Sequence, residues 1–256
     1  MSWRWAILAY RIAFGVALVL GWEAVVRSGF FNETFLPRPS TILFALIGLS
    51  DAELVIHVAI TLYSALVGFG LGVFVGVTIG VTLGSLPRVN EVFAPYIAVF
   101  NALPRIALAP LFILWFGIGP TAHIALVFSI VVFIVMNNAI AGALSVDRDH
   151  VILSRLSRAS RWKFVSKVIF PTAVPWIFAA MRLAWAYALA GAVVGQMFLG
   201  QKGLGYIITA SSGVFNIANI FAALIVTVIV AWAVDTVIRY AERKVLRWRT
   251  ESLAAH

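Results

Sequence analysis

Residues able to do covalent chemistry are present in this chain but are not arranged for it. Serine, histidine and aspartate all occur in or near apolar stretches, yet no G-x-S-x-G elbow appears and His123 sits beside an expected loop. Asp235 has no second carboxylate deep within the apolar stretches to pair with. Neither H-E-x-x-H nor a Cys/His ligand set exists, and cysteine is absent altogether, which removes thiolate metal sites and disulfides. The phosphate-binding pattern G-x-x-x-x-G-K-[ST] is also missing, so the chain is not expected to bind ATP or any other cofactor itself. What remains are cations and amides inside apolar stretches, where polar groups are costly and invite a functional reading. Arg105 is the leading one. A cation there can attract an anionic solute, or it can cap carbonyls freed by neighbouring prolines. Arg182, Asn137 and Gln196 are further candidates for lining a path, the alternative being partners within a helix bundle, as for Asn138. Glu23 and Asp235 fall near the ends of apolar stretches, where contact with water accounts for them.

The elements that must position these residues are membrane helices. Of 256 residues, 62% are hydrophobic and 11% charged, whereas soluble domains are roughly half apolar and a quarter charged. At about 20 residues per crossing, the chain has room for six spans and no sizeable soluble domain. Apolar segments run from about 6 to 26, 55 to 84, 92 to 117, 122 to 144, 173 to 199 and 217 to 237. The stretch 27–54, with Pro37 and Pro39, reads as an extramembrane connection. The first segment lacks a small-x-small cleavage site and reads as a retained span rather than a signal peptide. Pro95, Pro104 and Pro110 should kink or break the third.

Charge placement orients this layout, because cytoplasmic loops are enriched in Lys and Arg. Of nineteen such residues, fourteen fall on the side that holds both termini and the stretch 147–167, three fall opposite, and Arg105 and Arg182 lie within spans. Both termini are therefore expected in the cytoplasm. The net charge of +9 belongs to these loops rather than to a nucleic-acid surface.

Gly68, Gly72, Gly76, Gly80 and Gly84 recur every four residues and form a flat ridge along one helix face. That ridge serves close packing within the subunit, or a sliding surface used in gating. In the basic loop, Ile152, Leu153, Leu156 and Ala159 share a face at helical spacing beside Arg148, Arg155 and Arg158, which describes a short amphipathic helix. Such a helix lies on anionic lipid or docks in a groove of a cytoplasmic partner.

Ser145 to Pro171 resembles the E-A-A-x3-G-x9-I-x-L-P loop of ABC importer permeases. Val168 and Pro171 stand at the Ile and Pro positions, and Ala159-Ser160-Arg161-Trp162 follows the glycine slot. Leu36-Pro37-Arg38-Pro39-Ser40, the run Ala102 to Leu111, Trp115-Phe116-Gly117-Ile118-Gly119, Arg182-Leu183-Ala184, Gly203-Leu204-Gly205-Tyr206 and Glu242 to Trp248 are similar to the nitrate, sulfonate and taurine branch. Within the loop, Ile152, Leu153, Ser154 and Arg158 replace the family's Glu, Ala, Ala and Gly. The helix is expected to survive Arg158, since arginine favours helix more than glycine does, and to meet an ATPase with a more acidic groove. Loss of one acid and gain of a cation also leave open a weakened coupling.

The resemblance implies an all-α polytopic membrane protein of the type I ABC importer permease architecture in the bacterial inner membrane, non-catalytic, with ATP and magnesium bound by a partner. Residues 1–54 would hold the first span and its connection, 55–249 the core permease with its coupling loop at 145–171, and 250–256 a short tail. Implied partners are a dimer of ATPase subunits, docked through Ile152, Leu153, Leu156, Arg158, Ala159, Arg161 and Pro171, an extracytoplasmic solute-binding protein, a second permease copy and membrane lipid. A self-sufficient secondary carrier or channel is the rival, although the chain shows one Pro-broken segment and no repeated half.

Overall fold

The computed structural model describes residues 2–49 and 52–247; the expected tail at 250–256 lies outside them. Eleven α-helices follow one another among these residues, without strands. They are α1 (Ser2–Arg27), α2 (Pro39–Gly48), α3 (Ala52–Gly84), α4 (Pro87–Ala102), α5 (Ala109–Phe116), α6 (Pro120–Leu144), α7 (Arg148–Leu156), α8 (Arg161–Phe164), α9 (Phe170–Leu199), α10 (Leu204–Gly213) and α11 (Ile217–Val245). By length and composition α1, α3, α6, the run from α8 through α9, and α11 can each cross a membrane, and α4 with the turn and α5 after it, bent by 75°, are together long and apolar enough to count as a sixth.

The bend has a local cause. In an unbroken helix the Phe100 carbonyl would accept from the N–H of residue 104, but Pro104 has none, and its ring would collide with that carbonyl. A short 3-10 turn, Arg105–Leu108, restarts the chain in a new direction. Another proline shapes the entry to α9. The backbone widens into a π turn at Val165–Ile169, over the Lys167 carbonyl that Pro171 cannot serve, and the helix then continues.

The core is a sandwich of α3, α6 and α9. Each glycine of the α3 ridge faces α6: a Cβ on Gly68 would lie 2.6 Å from Val127 Cβ, and one on Gly80 would lie 2.6 Å from Ala139 Cβ. Twelve residues along α3 match twelve along α6, so these two helices run parallel in register. From the other side α9 runs antiparallel to α6, with Gly142 against Ala173 and Gly191 against Ile130. Val127, Val131 and Val135 of α6, Trp185 and Ala188 of α9, and Ala65 and Phe69 of α3 form the main buried cluster. Trp185 donates its indole N–H to the Ala231 carbonyl of α11 at 3.0 Å. By contrast, the spanning part of α1 is not buried at all.

Two helices lie where loops were expected. Within the connection 27–54, Pro39 starts α2 with its fixed φ. No side chain at the local cap position serves that end. Glu23 reaches over from α1 instead, accepting from Ser40 N–H (3.1 Å), Ser40 Oγ (2.9 Å) and Arg27 Nε (2.8 Å). Glu23 is therefore a remote helix cap rather than a carboxylate merely facing water. The second unexpected helix, α10, follows the Gly-rich connection 200–205.

Candidate coupling surface and translocation path

The loop joining α6 to α9 builds α7 from a defined start and stop. Asp147 caps the start, its Oδ1 accepting from Asp149 N–H at 3.1 Å. At the other end Ala159 N–H donates to the Ser154 carbonyl at 3.1 Å, the long bond of a Schellman motif. The residue inside that turn is Arg158, with φ of +47°. The expectation that the helix would run through Arg158 is therefore corrected: α7 ends at Leu156, and Ala159 is half-buried beyond it rather than part of its face. The slot that is glycine in the resembled loop is the left-handed turn residue, which explains the glycine better than helix propensity does.

An L-residue in that region is disfavoured by about 1–2 kcal/mol. Arg158→Gly is accordingly expected to steady the α7 end by about 1 kcal/mol, read as slower amide exchange at 153–159 with little change elsewhere.

What α7 presents is an uncovered apolar face. Ile152, Leu153 and Leu156 are 54%, 62% and 75% exposed, and Arg148, Arg158, Arg161, Lys163, Lys167 and Trp162 are exposed around them. Pro171 lies just past the π turn, half-buried, at the junction between this loop and the long helix α9. Because α6 and α9 pack against each other through Gly142, Ala173 and Trp176, the loop that carries α7 hangs from two helices held side by side.

Arg105 stands at the bend between α4 and α5. Its Nη2 donates to the orphaned Phe100 carbonyl and to Asn101 Oδ1, each at 3.1 Å, and its guanidinium lies 4.4 Å from the centre of the Phe133 ring on α6. All three partners are neutral, so the positive charge is held in place but not cancelled. Arg182 differs. It approaches Asp235 at 3.8 Å and Glu242 at 3.7 Å on α11, where Asp235 also pairs with Arg239. Asp235 thus belongs to an ion-pair network that the sequence alone did not suggest.

The remaining path candidates part ways. Asn137 is half-buried on α6, and its neighbour Asn138 donates to the Ile134 carbonyl at 2.8 Å. Gln196 is 1% exposed and so offers no surface to a passing solute here. Its Oε1 lies 2.9 Å from Thr61 Oγ1 and accepts from Gly205 N–H at 3.2 Å. Thr61 Oγ1 in turn accepts from Leu204 N–H at 2.9 Å, and Gly203 N–H donates to His57 Nδ1 at 2.8 Å. Side chains from α3 and α9 thereby satisfy the N–H groups that open α10, whose own cap residue, Gly203, has no side chain to do so. His57 and Thr61, four apart on an expected span, were the available signal for this lock.

Residues 68–247 match the family described as binding-protein-dependent transport system inner membrane component. The riboflavin transport system permease protein RibX of Chloroflexus aurantiacus is 33% identical over 96% of this chain and 91% of its own length. The putative aliphatic sulfonates transport permease protein SsuC of Bacillus subtilis is 32% identical over 89% of this chain and 83% of its own. For the taurine transport system permease protein TauC of Escherichia coli the identity is 26%, over 98% and 94%. Among solved structures, an inward-facing MetNI methionine ABC transporter superposes with a TM-score of 0.67 at 21% identity, covering 75% of this chain and 95% of the compared one, a likeness of fold. The family match starts within α3 and runs past the end of α11, so it includes the bent pair, the α7 loop and the α10 connection. The chain is a multi-pass inner-membrane permease of the binding-protein-dependent ABC importer family, with the type I fold and a transport role that is not catalytic.

Proposed function

We propose that this permease passes a small anionic solute, handed over by an extracytoplasmic binding protein, and that two ATPase subunits drive it by gripping α7 from the cytoplasm. The observation that carries the reading is the uncovered apolar face of Ile152, Leu153 and Leu156, set in a ring of cations on a segment that lipid tails do not suit. A groove in a soluble partner covers such a face. With α7 in the cytoplasm, six crossings place both termini there too, in accord with the basic residues near both ends. Two copies of the chain would enclose the path, and alternating access follows from α6 and α9 tilting as α7 moves.

The preference for an anion rests on Arg105 alone. Arg182 faces two carboxylates, whereas Arg105 keeps its charge beside neutral partners. Its place at a broken helix, with unspent guanidinium N–H groups, suits a carboxylate, sulfonate or oxyanion.

Reconstitution with the ATPase and binding protein in lipid tests both parts. Solute-stimulated ATP hydrolysis supports the importer reading; a permease that never associates with an ATPase yet catalyses uptake belongs to the rival carrier class. Arg105→Gln is expected to lower uptake by about tenfold or more, since a charge-assisted hydrogen bond contributes about 1.5–3 kcal/mol, whereas Arg105→Lys retains part of it. Equal uptake by both variants removes the anion from the proposal.

A further inference from the structure

At the end of the bundle opposite α7, helices α2, α3, α10 and α11 leave a crevice of about 310 Å³ whose polar lining is Glu53, His57, Tyr206, Ser211 and Asn219. Its back wall is stiff. His57 is 8% exposed and accepts from Gly203 N–H through Nδ1 at 2.8 Å. The Tyr206 ring lies parallel to the imidazole, 5.7 Å away and tilted by 6°. Asn219 is held by its own N–H, which donates to Asn216 Oδ1 at 3.2 Å. Against this frame, Glu53 stands exposed in the first turn of α3, the one formally charged side chain in the lining among the described residues. It forms no ion pair among the described residues.

A carboxylate at the rim, a stacked aromatic pair behind it and hydroxyl and amide groups beside it select for a guanidinium or ammonium group. The volume sits at the lower limit for a small-molecule pocket and suits one long side chain. A free anionic solute would be repelled by Glu53. We infer that the crevice receives a lysine or arginine side chain of the solute-binding protein and so fixes where that protein seats. This inference rests on the importer reading above, which puts the crevice on the extracytoplasmic face.

The test titrates the binding protein against the permease and ATPase complex in nanodiscs, reading ATP hydrolysis and the concentration giving half-maximal stimulation. Glu53→Lys is expected to raise that concentration by about tenfold, Glu53→Gln to raise it less, and Asn219→Asp, which adds a second acid to the same lining, to lower it and steepen its dependence on salt. Thermal melting of each variant shows that the bundle is intact. If Glu53→Lys titrates like the native complex, the crevice is not the seat of a basic side chain. If the native complex ignores its binding protein altogether, the importer reading itself fails and this inference falls with it. If only the half-saturating solute concentration moves, the crevice serves the solute and the inference is wrong.

Discussion

Replacing Leu156 by aspartate is expected to release the ATPase and abolish solute-stimulated hydrolysis while leaving the membrane bundle folded. Leu156 is 75% exposed on a helix that hangs outside the core, so its replacement falls in the class of surface changes that move stability by about 0.5 kcal/mol or less. Docking is another matter. Seating a leucine in an apolar groove contributes about 1.5–3 kcal/mol, and forcing a carboxylate into the same place adds a desolvation penalty of at least about 1–3 kcal/mol. Together these weaken association by two orders of magnitude or more, at about 1.4 kcal/mol per tenfold. Copurification of the ATPase and its hydrolysis rate report the two parts separately. Full association and full stimulation with Leu156→Asp would show that α7 is not the driven surface.

Gly76→Leu is expected to do the reverse, destroying the fold without touching α7. A Cβ at Gly76 already falls 2.7 Å from the Val132 carbonyl oxygen and 3.0 Å from Val135 Cβ, so backbone as well as side chain stands in the way. Overpacking costs about 1–3 kcal/mol where neighbours yield, and here the obstruction is the backbone of α6, itself fixed between α3 and α9. Against a total stability of about 5–15 kcal/mol, the expected outcome is loss of a sharp elution peak and a large drop in melting temperature. Gly70 supplies the contrast. It lies two residues off the ridge, meets nothing within 4 Å, and Gly70→Ala should be neutral or stabilising by about 0.5–1 kcal/mol. Similar behaviour of Gly76→Leu and Gly70→Ala would mean that the α3–α6 contact is not what holds the bundle.

The spans and the bend between α4 and α5 were legible because their signals are local. An apolar run needs only its own composition, and Pro104 removes a bond wherever the chain goes. The spacing of the five glycines likewise announced a flat face, although which helix fills it depends on tertiary pairing that one sequence does not encode visibly. Less legible were features whose partners are distant in the chain. Glu23 finds Ser40, Arg182 finds Asp235 and Glu242, and Gln196 finds Thr61 only once the helices are assembled. Arg158 was misleading for a different reason. Its helix propensity is favourable, but the site demands a left-handed residue, and propensity ranks residues only for positions inside a helix. The short helices α2 and α10 escaped notice because each starts in a segment whose Pro or Gly content reads as loop.

The seating of α2 has a consequence for the order in which the protein can be completed. Synthesis runs from the N-terminus, so α1 and α2 emerge before the helices that follow them, and the Glu23–Ser40 contact can form as soon as both exist. Yet α2 rests on α11, the last helix of the described chain, and Trp22 of α1 meets Phe221 there as well. The α1–α2 pair must therefore wait for this partner until α3 to α10 have been made. α2 and α11 meet last, around α3, α6 and α9, whose buried cluster α11 completes with Ile238 and the Trp185–Ala231 bond.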